Sequence, residues 1–228
     1  MDKPRKLTVD SFIQMFQQKT PFTFSRWGDG EWRSVMRKDK GANCDGHPFY
    51  PEMGHDLREV LRSRPPYIMG MQNLAVREYS FMIDPWLAEE GLEFDWVDSD
   101  VFHKAAVAGE LDPMVEMLRK RRMIVVGPEH LKRAQPLLNY DIYVEVPGEN
   151  CYLDRHRIIT EVLAHMTEDS PYTVISISAS MPAEIIVHKL WEELGEHHAI
   201  VDFGSLWDQY VGVKSRKYMK AGTPPISK

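Results

Sequence analysis

Phe22-Thr23-Phe24-Ser25-Arg26-Trp27-Gly28-Asp29-Gly30-Glu31-Trp32 is the stretch from which the rest of the chain is best read. An apolar, β-branched run passes into Gly-Asp-Gly-Glu and then into an aromatic residue, which reads as a strand, a tight turn and the start of a helix. Gly28 and Gly30 permit tight backbone paths and the close approach of a phosphate. Asp29 and Glu31 place two carboxylates at the exit of the strand. Carboxylates paired in this way bind Mg²⁺ or Mn²⁺, hard ions that bridge protein oxygens and substrate phosphates. Arg26 suits bidentate pairing with a diphosphate. The same residues also read as a polar turn with a helix-capping acid, and short Gly/Asp motifs match by chance. The turn lacks the Gly-Lys-Ser/Thr end of a Walker loop and the spacing of a dinucleotide fingerprint.

The strand-then-helix pattern recurs outward from this point. Buried strands are expected at residues 22–25, 67–71, 123–127, 142–146, 173–178 and 199–203. Helical spacing appears at residues 9–16, around Leu57, Val60 and Leu61 after Pro51, and at residues 111–118 and 153–166. A further helix is expected from Pro182 to Leu194, with Ser180 as its N-cap and Gly195 as its stop. Such alternation predicts an α/β, Rossmann-like fold: a mostly parallel sheet, helices on both faces, and ligands at the carboxyl ends of the strands. Residues 39–51, rich in Gly, Asn, Asp and Pro, read as a loop, and residues 81–103 yield no assignment. One domain is expected over residues 1–220, with residues 221–228 a flexible tail.

With 43% hydrophobic and 11% aromatic residues, the chain has ample material for a packed core. No apolar run approaches the roughly 18–20 residues that cross a bilayer, and no apolar stretch follows Lys3, Arg5 and Lys6, so neither a membrane span nor a secretory signal is read. Two cysteines, Cys44 and Cys151, suggest neither a disulfide framework nor a zinc site, which fits a cytoplasmic protein. A net charge of −6 argues against coating duplex nucleic acid. The acidic belt at residues 84–116 reads as a solvated face. The basic residues Lys214, Arg216 and Lys217 suit a lid over phosphates or contact with an anionic acceptor.

The run Ser25-Arg26-Trp27-Gly28-Asp29-Gly30-Glu31-Trp32 resembles the Arg-(aromatic)-Gly-Asp-Gly-Glu signature of bacterial glycosyltransferases with the GT-D fold. Four later segments resemble that family's elements in the same order: Met123 to Gly127 with Pro128-Glu129-His130, Val146 to Cys151, Ile177 to Ala183, and Val201 to Asp208. The resemblance implies a GT-D type α/β domain in which Asp29 and Glu31 serve Mn²⁺ or Mg²⁺ and the diphosphate of a nucleotide sugar such as a UDP-sugar. Some relatives carry a His just after the closing Asp-x-Gly; this chain has Ser205 there, and Asp208 is the residue able to supply an oxygen instead.

Read beside that resemblance, Ser178 and Ser180 precede a helix N-terminus, where free N–H groups favour a diphosphate; an ordinary capped turn is the competing reading. Asn150 suits a base, ribose or sugar contact, or simply a turn. Asp202 and Asp208 flank Gly204 at another strand end, as metal contacts, as the base that deprotonates the acceptor, or, for Asp202, as a loop cap. His47 is placed to shape an acceptor pocket, and His197-His198 reads as surface. Trp27, Trp32 and Tyr50 suit stacking on a base or sugar, with core packing as the default expectation. The function expected is transfer of a sugar from a nucleoside diphosphate to a hydroxyl. The acceptor would be a glycan or glycoprotein, or a hydroxymethylated base in phage DNA, and a phage-encoded chain would work in the host cytoplasm. The alternatives are a metal-dependent phosphotransferase or nucleotide hydrolase, and a nucleotide-sugar-binding protein without catalysis.

Overall fold

A computed structural model describes residues 4–43 and 46–214. In chain order the elements are α1 (Val9–Gln18), β1 (Phe22–Trp27), α2 (Asp29–Val35), α3 (Pro51–Arg62), β2 (Ile68–Met71), α4 (Asn73–Glu89), β3 (Val97–Asp98), α5 (Val101–Ala108), α6 (Asp112–Leu118), β4 (Arg122–Pro128), α7 (Gln135–Leu138), β5 (Ile142–Val146), α8 (Arg155–Ala164), β6 (Thr173–Ile177), α9 (Ala183–Leu194) and β7 (Ala199–Asp202). The seven strands form one sheet in the order β3-β2-β1-β7-β6-β4-β5, and every pairing is parallel. The six expected strands are all present, and the sheet is wholly rather than mostly parallel.

Both faces are covered, as continuous apolar runs in a parallel sheet require. Successive residues of a strand point to opposite faces. Met123 and Val125 therefore pack with Phe12, Phe16, Phe102 and Leu118 from α1, α5 and α6. Their neighbours Ile124 and Val126 pack with Ile158 and Val162 of α8 and Ile186, Val187 and Leu190 of α9. A third cluster joins Trp27 and Trp32 to Leu57, Leu61 and Met71. Trp27 and Trp32 are core residues, and half-buried Tyr50 stacks on Tyr152 at 5.6 Å.

Three expectations change. Residues 81–103, left unassigned, hold the end of α4 and the two-residue β3, whose Val97 pairs with Gly70 and bridges to Arg5. The acidic belt is not simply a solvated face. Asp98 is buried, pairs with Lys104 and accepts a hydrogen bond from Asn73 Nδ2 at 2.9 Å, and Glu90 pairs with Arg62 at 2.6 Å. His198 is buried rather than on the surface, its Nδ1 accepting the Thr173 N–H at 3.3 Å.

The order of strands positions the site. From β1 the chain builds outward through β2 to β3, then crosses to build the other half, so that β1 and β7 meet where the two halves join. In an open α/β sheet the crevice at the carboxyl ends of such a junction is where ligands bind. Arg26, Asp29 and Glu31 lie at the end of β1, and Asp202 and Gly204 at the end of β7.

Candidate functional site

Gly28 is the N-cap of α2, and Asp29 is the first helical residue. The Glu31 Oε2 accepts the Gly28 N–H at 2.9 Å, so Glu31 does act as the capping acid. This engages one carboxylate oxygen. A Cβ on Gly28 would lie 3.0 Å from that oxygen and 3.1 Å from Gln72 Oε1, and one on Gly30 would lie 3.0 Å from the Met181 side chain. Glycine at both positions therefore lets neighbouring side chains close over the turn. Asp29 remains partly exposed.

Glu31 stands in acidic company. Its carboxyl is pushed up to about 7 by burial, partly offset by backbone N–H donors and reinforced by repulsion from Asp29 and Asp202. Burial likewise raises Asp202 to about 6, against the pull of Arg26 and of the Gly204 N–H, which donates to Asp202 Oδ1 at 2.8 Å. Glu184, the second residue of α9, is raised well above the ordinary carboxylate range by burial and by repulsion from Glu31 and Asp202. Its Oε2 is buried without a hydrogen-bond partner. Half-buried Glu31 and the buried acids Asp202 and Glu184 thus converge on the β1/β7 junction.

Arg26 is the fixed cation of this cluster. Its Nε donates to the Ser99 carbonyl at 3.0 Å, and an Nη lies 3.9 Å from Asp100 Oδ1. Its other face lies on Gly204, where a Cβ would fall 1.9 Å from Nη1. With Nε engaged, the two Nη groups are what Arg26 can offer a diphosphate.

Beside this cluster a cleft of about 410 Å³ opens along the carboxyl ends of β4, β5, β6 and β7, lined among others by His47, His130, Ser178, Ser180, Gly204 and Asp208. Ser178 Oγ is buried without a partner, as is Asn150 Oδ1 nearby in sequence to the cleft residues Gly148 and Cys151. Buried polar atoms are almost always satisfied, so these two call for a hydrogen-bonding ligand or water. Asn150 takes a left-handed conformation and donates its N–H to His47 Nδ1 at 3.1 Å, which fixes the His47 loop against the cleft wall. A larger hollow of about 550 Å³ lies between α3, α8 and α9, lined by groups of both charges and away from the strand ends.

Two sequence expectations at the cleft are corrected. Ser180 is not the N-cap of α9; Pro182 is, and Ser180 adopts a left-handed backbone with φ of 55°. The helix start is also less open to an anion than expected. The Ser178 N–H donates to Val126 O, the Ala183 N–H donates to Ser180 O, and the Glu184 carboxyl accepts its own N–H. An acid of the chain itself occupies the favourable end of the α9 dipole.

One oxygen of Asp208 is engaged. Its Oδ1 lies 2.7 Å from His130 Nε2. Glu184, Gln72 and this His130–Asp208 contact were not assigned roles from sequence. Glu184 had one available signal, an acid in the first turn after Pro182. Arg216, expected as a donor contact, lies outside the described residues, as do Cys44 and the tail from residue 215 onward. Among the described residues no group of three or more His, Cys, Asp or Glu side chains is arranged to hold a metal ion, and no helix is long and apolar enough to cross a membrane.

Comparison with known proteins identifies the fold. A model of the GT-D fold-like domain matches residues 55–210. The chain belongs to the GT-D-like family. The match begins downstream of the Asp29/Glu31 turn and includes β4 to β7 and the cleft. A solved structure described as a conserved domain of unknown function with a distinct glycosyltransferase fold superposes with a TM-score of 0.62 at 11% identity, covering 92% of this chain and 83% of that one. The fold is therefore of the GT-D glycosyltransferase type. A thymidylate kinase of Magnetococcus marinus is 24% identical over 110 residues, 48% of this chain and 42% of that protein. The chain thus matches less than half the length of that curated relative.

Proposed function

We propose that this GT-D-like protein is a nucleotide-sugar-dependent glycosyltransferase that moves a sugar to an acceptor hydroxyl with the help of Mn²⁺ or Mg²⁺. The observation that carries the reading is the gathering of Glu31, Glu184 and Asp202 at the β1/β7 junction, each pushed toward its neutral form. Beyond burial, repulsion from Asp202 raises both Glu31 and Glu184, and Glu31 further raises Glu184, so negative charge outweighs the single guanidinium of Arg26 among these groups. Oxygen donors with excess negative potential suit a hard divalent ion. Mg²⁺ and Mn²⁺ in nucleotide sites take one or two carboxylates and complete their shell with phosphate oxygens and water, so the pair Asp29 and Glu31 is enough. Such an ion supplies Lewis-acid stabilisation of the leaving diphosphate.

The chain's own residues would do the rest. Arg26, held by Ser99 and facing Gly204, sets fixed positive potential at the junction. Ser178 and Ser180 offer hydroxyl groups along the cleft, and Asn150 offers an amide beside the cleft residues Gly148 and Cys151; Ser178 and Asn150 each have a buried unpartnered atom. Asp202 is tied to the Gly204 N–H, which suits it to shaping the loop over the donor rather than to free proton transfer. A glycan, a glycoprotein or a hydroxymethylated base in phage DNA remains the range of acceptors, with the cytoplasm as the place of action.

Nucleotide phosphotransfer is the second reading, favoured by the likeness to a thymidylate kinase. Opposing it, the turns after β1, β4, β6 and β7 carry no Gly-Lys-Ser/Thr to cradle a nucleoside triphosphate. The test is incubation with UDP-glucose, UDP-galactose, UDP-N-acetylglucosamine, GDP-mannose and dTDP-glucose, each with Mn²⁺. Donor-selective release of nucleoside diphosphate supports glycosyl transfer. Phosphoryl transfer from ATP to dTMP supports the kinase reading, and binding without turnover supports a non-catalytic role.

A further inference from the structure

Resting on the glycosyltransferase reading, we infer that His130 is the base that takes the proton from the acceptor hydroxyl, with Asp208 as its positioning residue. His130 lies in the 3₁₀ segment Glu129–Ala134 that leaves β4, and Asp208 opens the 3₁₀ segment Asp208–Val211 beyond β7. The two segments pack together, and both side chains line the cleft at the strand ends. Their Nε2–Oδ1 separation is 2.7 Å, in the range of a charge-assisted hydrogen bond.

Chemistry follows from which nitrogen is engaged. A carboxylate only accepts, so Nε2 bears the proton in this contact and Nδ1 of the neutral ring keeps its lone pair. Asp208 is buried, with 7% side-chain exposure, while His130 keeps 30%. Of the two groups that line the cleft, the ring is thus the more open to it and the acid the more enclosed. A buried carboxylate behind an imidazole holds one tautomer and stabilises the imidazolium that forms on proton uptake. Arg133 donates to the His130 carbonyl at 3.3 Å, which ties the backbone of the same turn.

The step balances without a further reactant. The acceptor O–H bond breaks and its proton passes to His130 Nδ1. The oxygen forms a bond to the anomeric carbon as the bond from that carbon to the diphosphate oxygen breaks, and the electron pair leaves with the diphosphate. His130 then returns the proton to solvent. This assignment moves the role of base from the carboxylate of Asp208 or Asp202 to an imidazole with a second ring nitrogen left for the acceptor proton.

The test uses the full chain with Mn²⁺ and whichever of the five nucleotide sugars above is turned over, with water and p-nitrophenyl glycosides as acceptors. His130→Gln is expected to lower kcat by about 10²–10⁴-fold while donor affinity by calorimetry stays within about twofold. His130→Ala is expected to regain turnover with added imidazole, which a structural tie between two loops would not do. Asp208→Asn should lower kcat and shift the ¹⁵N tautomer signature of His130 in the intact protein. Near-normal kcat in His130→Gln, or His130→Ala that imidazole does not restore although the variant folds and binds donor, overturns the base assignment while leaving the glycosyltransferase reading standing. A native chain that releases diphosphate from none of the donors overturns both.

Discussion

Replacing Gly204 with Ala should uncouple the two halves of the site, and the size of the effect can be worked out in advance. The residue sits at φ of 53°, and a Cβ there would lie 1.9 Å from Arg26 Nη1. A left-handed conformation costs a residue with a Cβ about 1–2 kcal/mol. The guanidinium must also move, which threatens the Nε bond to Ser99 O, and a hydrogen bond from a charged group contributes about 1.5–3 kcal/mol. The sum allows for partial relaxation and comes to about 2–4 kcal/mol of lost stability, or roughly 4–16 °C in Tm for a chain of this length. The assay is reversible urea unfolding of four proteins: native, Gly204→Ala, Arg26→Ala and the double variant. Without the guanidinium only the backbone cost remains, so Gly204→Ala should be milder in the Arg26→Ala background, with a coupling of about 1–2 kcal/mol. An equal cost in both backgrounds, or a single variant within about 0.5 kcal/mol of native, would refute the claim that Arg26 is seated on this glycine.

Two further predictions follow from the same geometry. Glu31 rises from an unfolded value of 4.5 to about 7 and Asp202 from 3.8 to about 6. The native state therefore holds protons that the unfolded chain has released. Their contribution is complete below about pH 4 and is lost as pH rises through about 6–7, on the order of 3 kcal/mol for Glu31. Metal-free protein should lose stability between pH 5 and pH 8 in denaturant titrations, and Glu31→Gln should flatten that slope; an unchanged slope contradicts the account. Gly54 in α3 admits α2 so closely that a Cβ would lie 2.4 Å from the Ser34 carbonyl oxygen. Gly54→Ala should therefore lower stability by about 1–3 kcal/mol despite the better helix propensity of Ala, and thermal unfolding that shows a gain would count against this packing.

What could be read from the residues, and what could not, divides along physical lines. The central strands were legible because a strand buried on both faces is almost continuously apolar, as Met123 to Val126 is and as Val174 to Ile177 is apart from buried Ser176. β3 was not, because its two residues owe their pairing to Gly70 and Arg5 rather than to any pattern of their own. α4 was obscured by Pro85 within it. At the site, Asp29 and Glu31 announced themselves through flanking glycines. Glu184 did not, since an acid in the first turn of a helix is ordinary until burial beside Glu31 and Asp202 makes it otherwise. The partnership of His130 with Asp208 spans 78 residues, and no local spacing encodes it. Ser180 misled because Ser before a helix is a common cap, whereas here Pro182 fills that position and Ser180 turns the chain.

The central claim is that the acids following β1 hold a divalent ion that in turn holds a sugar donor's diphosphate. Isothermal calorimetry of nucleotide-sugar binding with Mn²⁺ and with EDTA, on native protein and on the Asp29→Ala/Glu31→Ala double variant, tests it most directly. The account predicts binding only to native protein with Mn²⁺. Equal affinity in EDTA, or in the double variant once circular dichroism shows it folded, would contradict it.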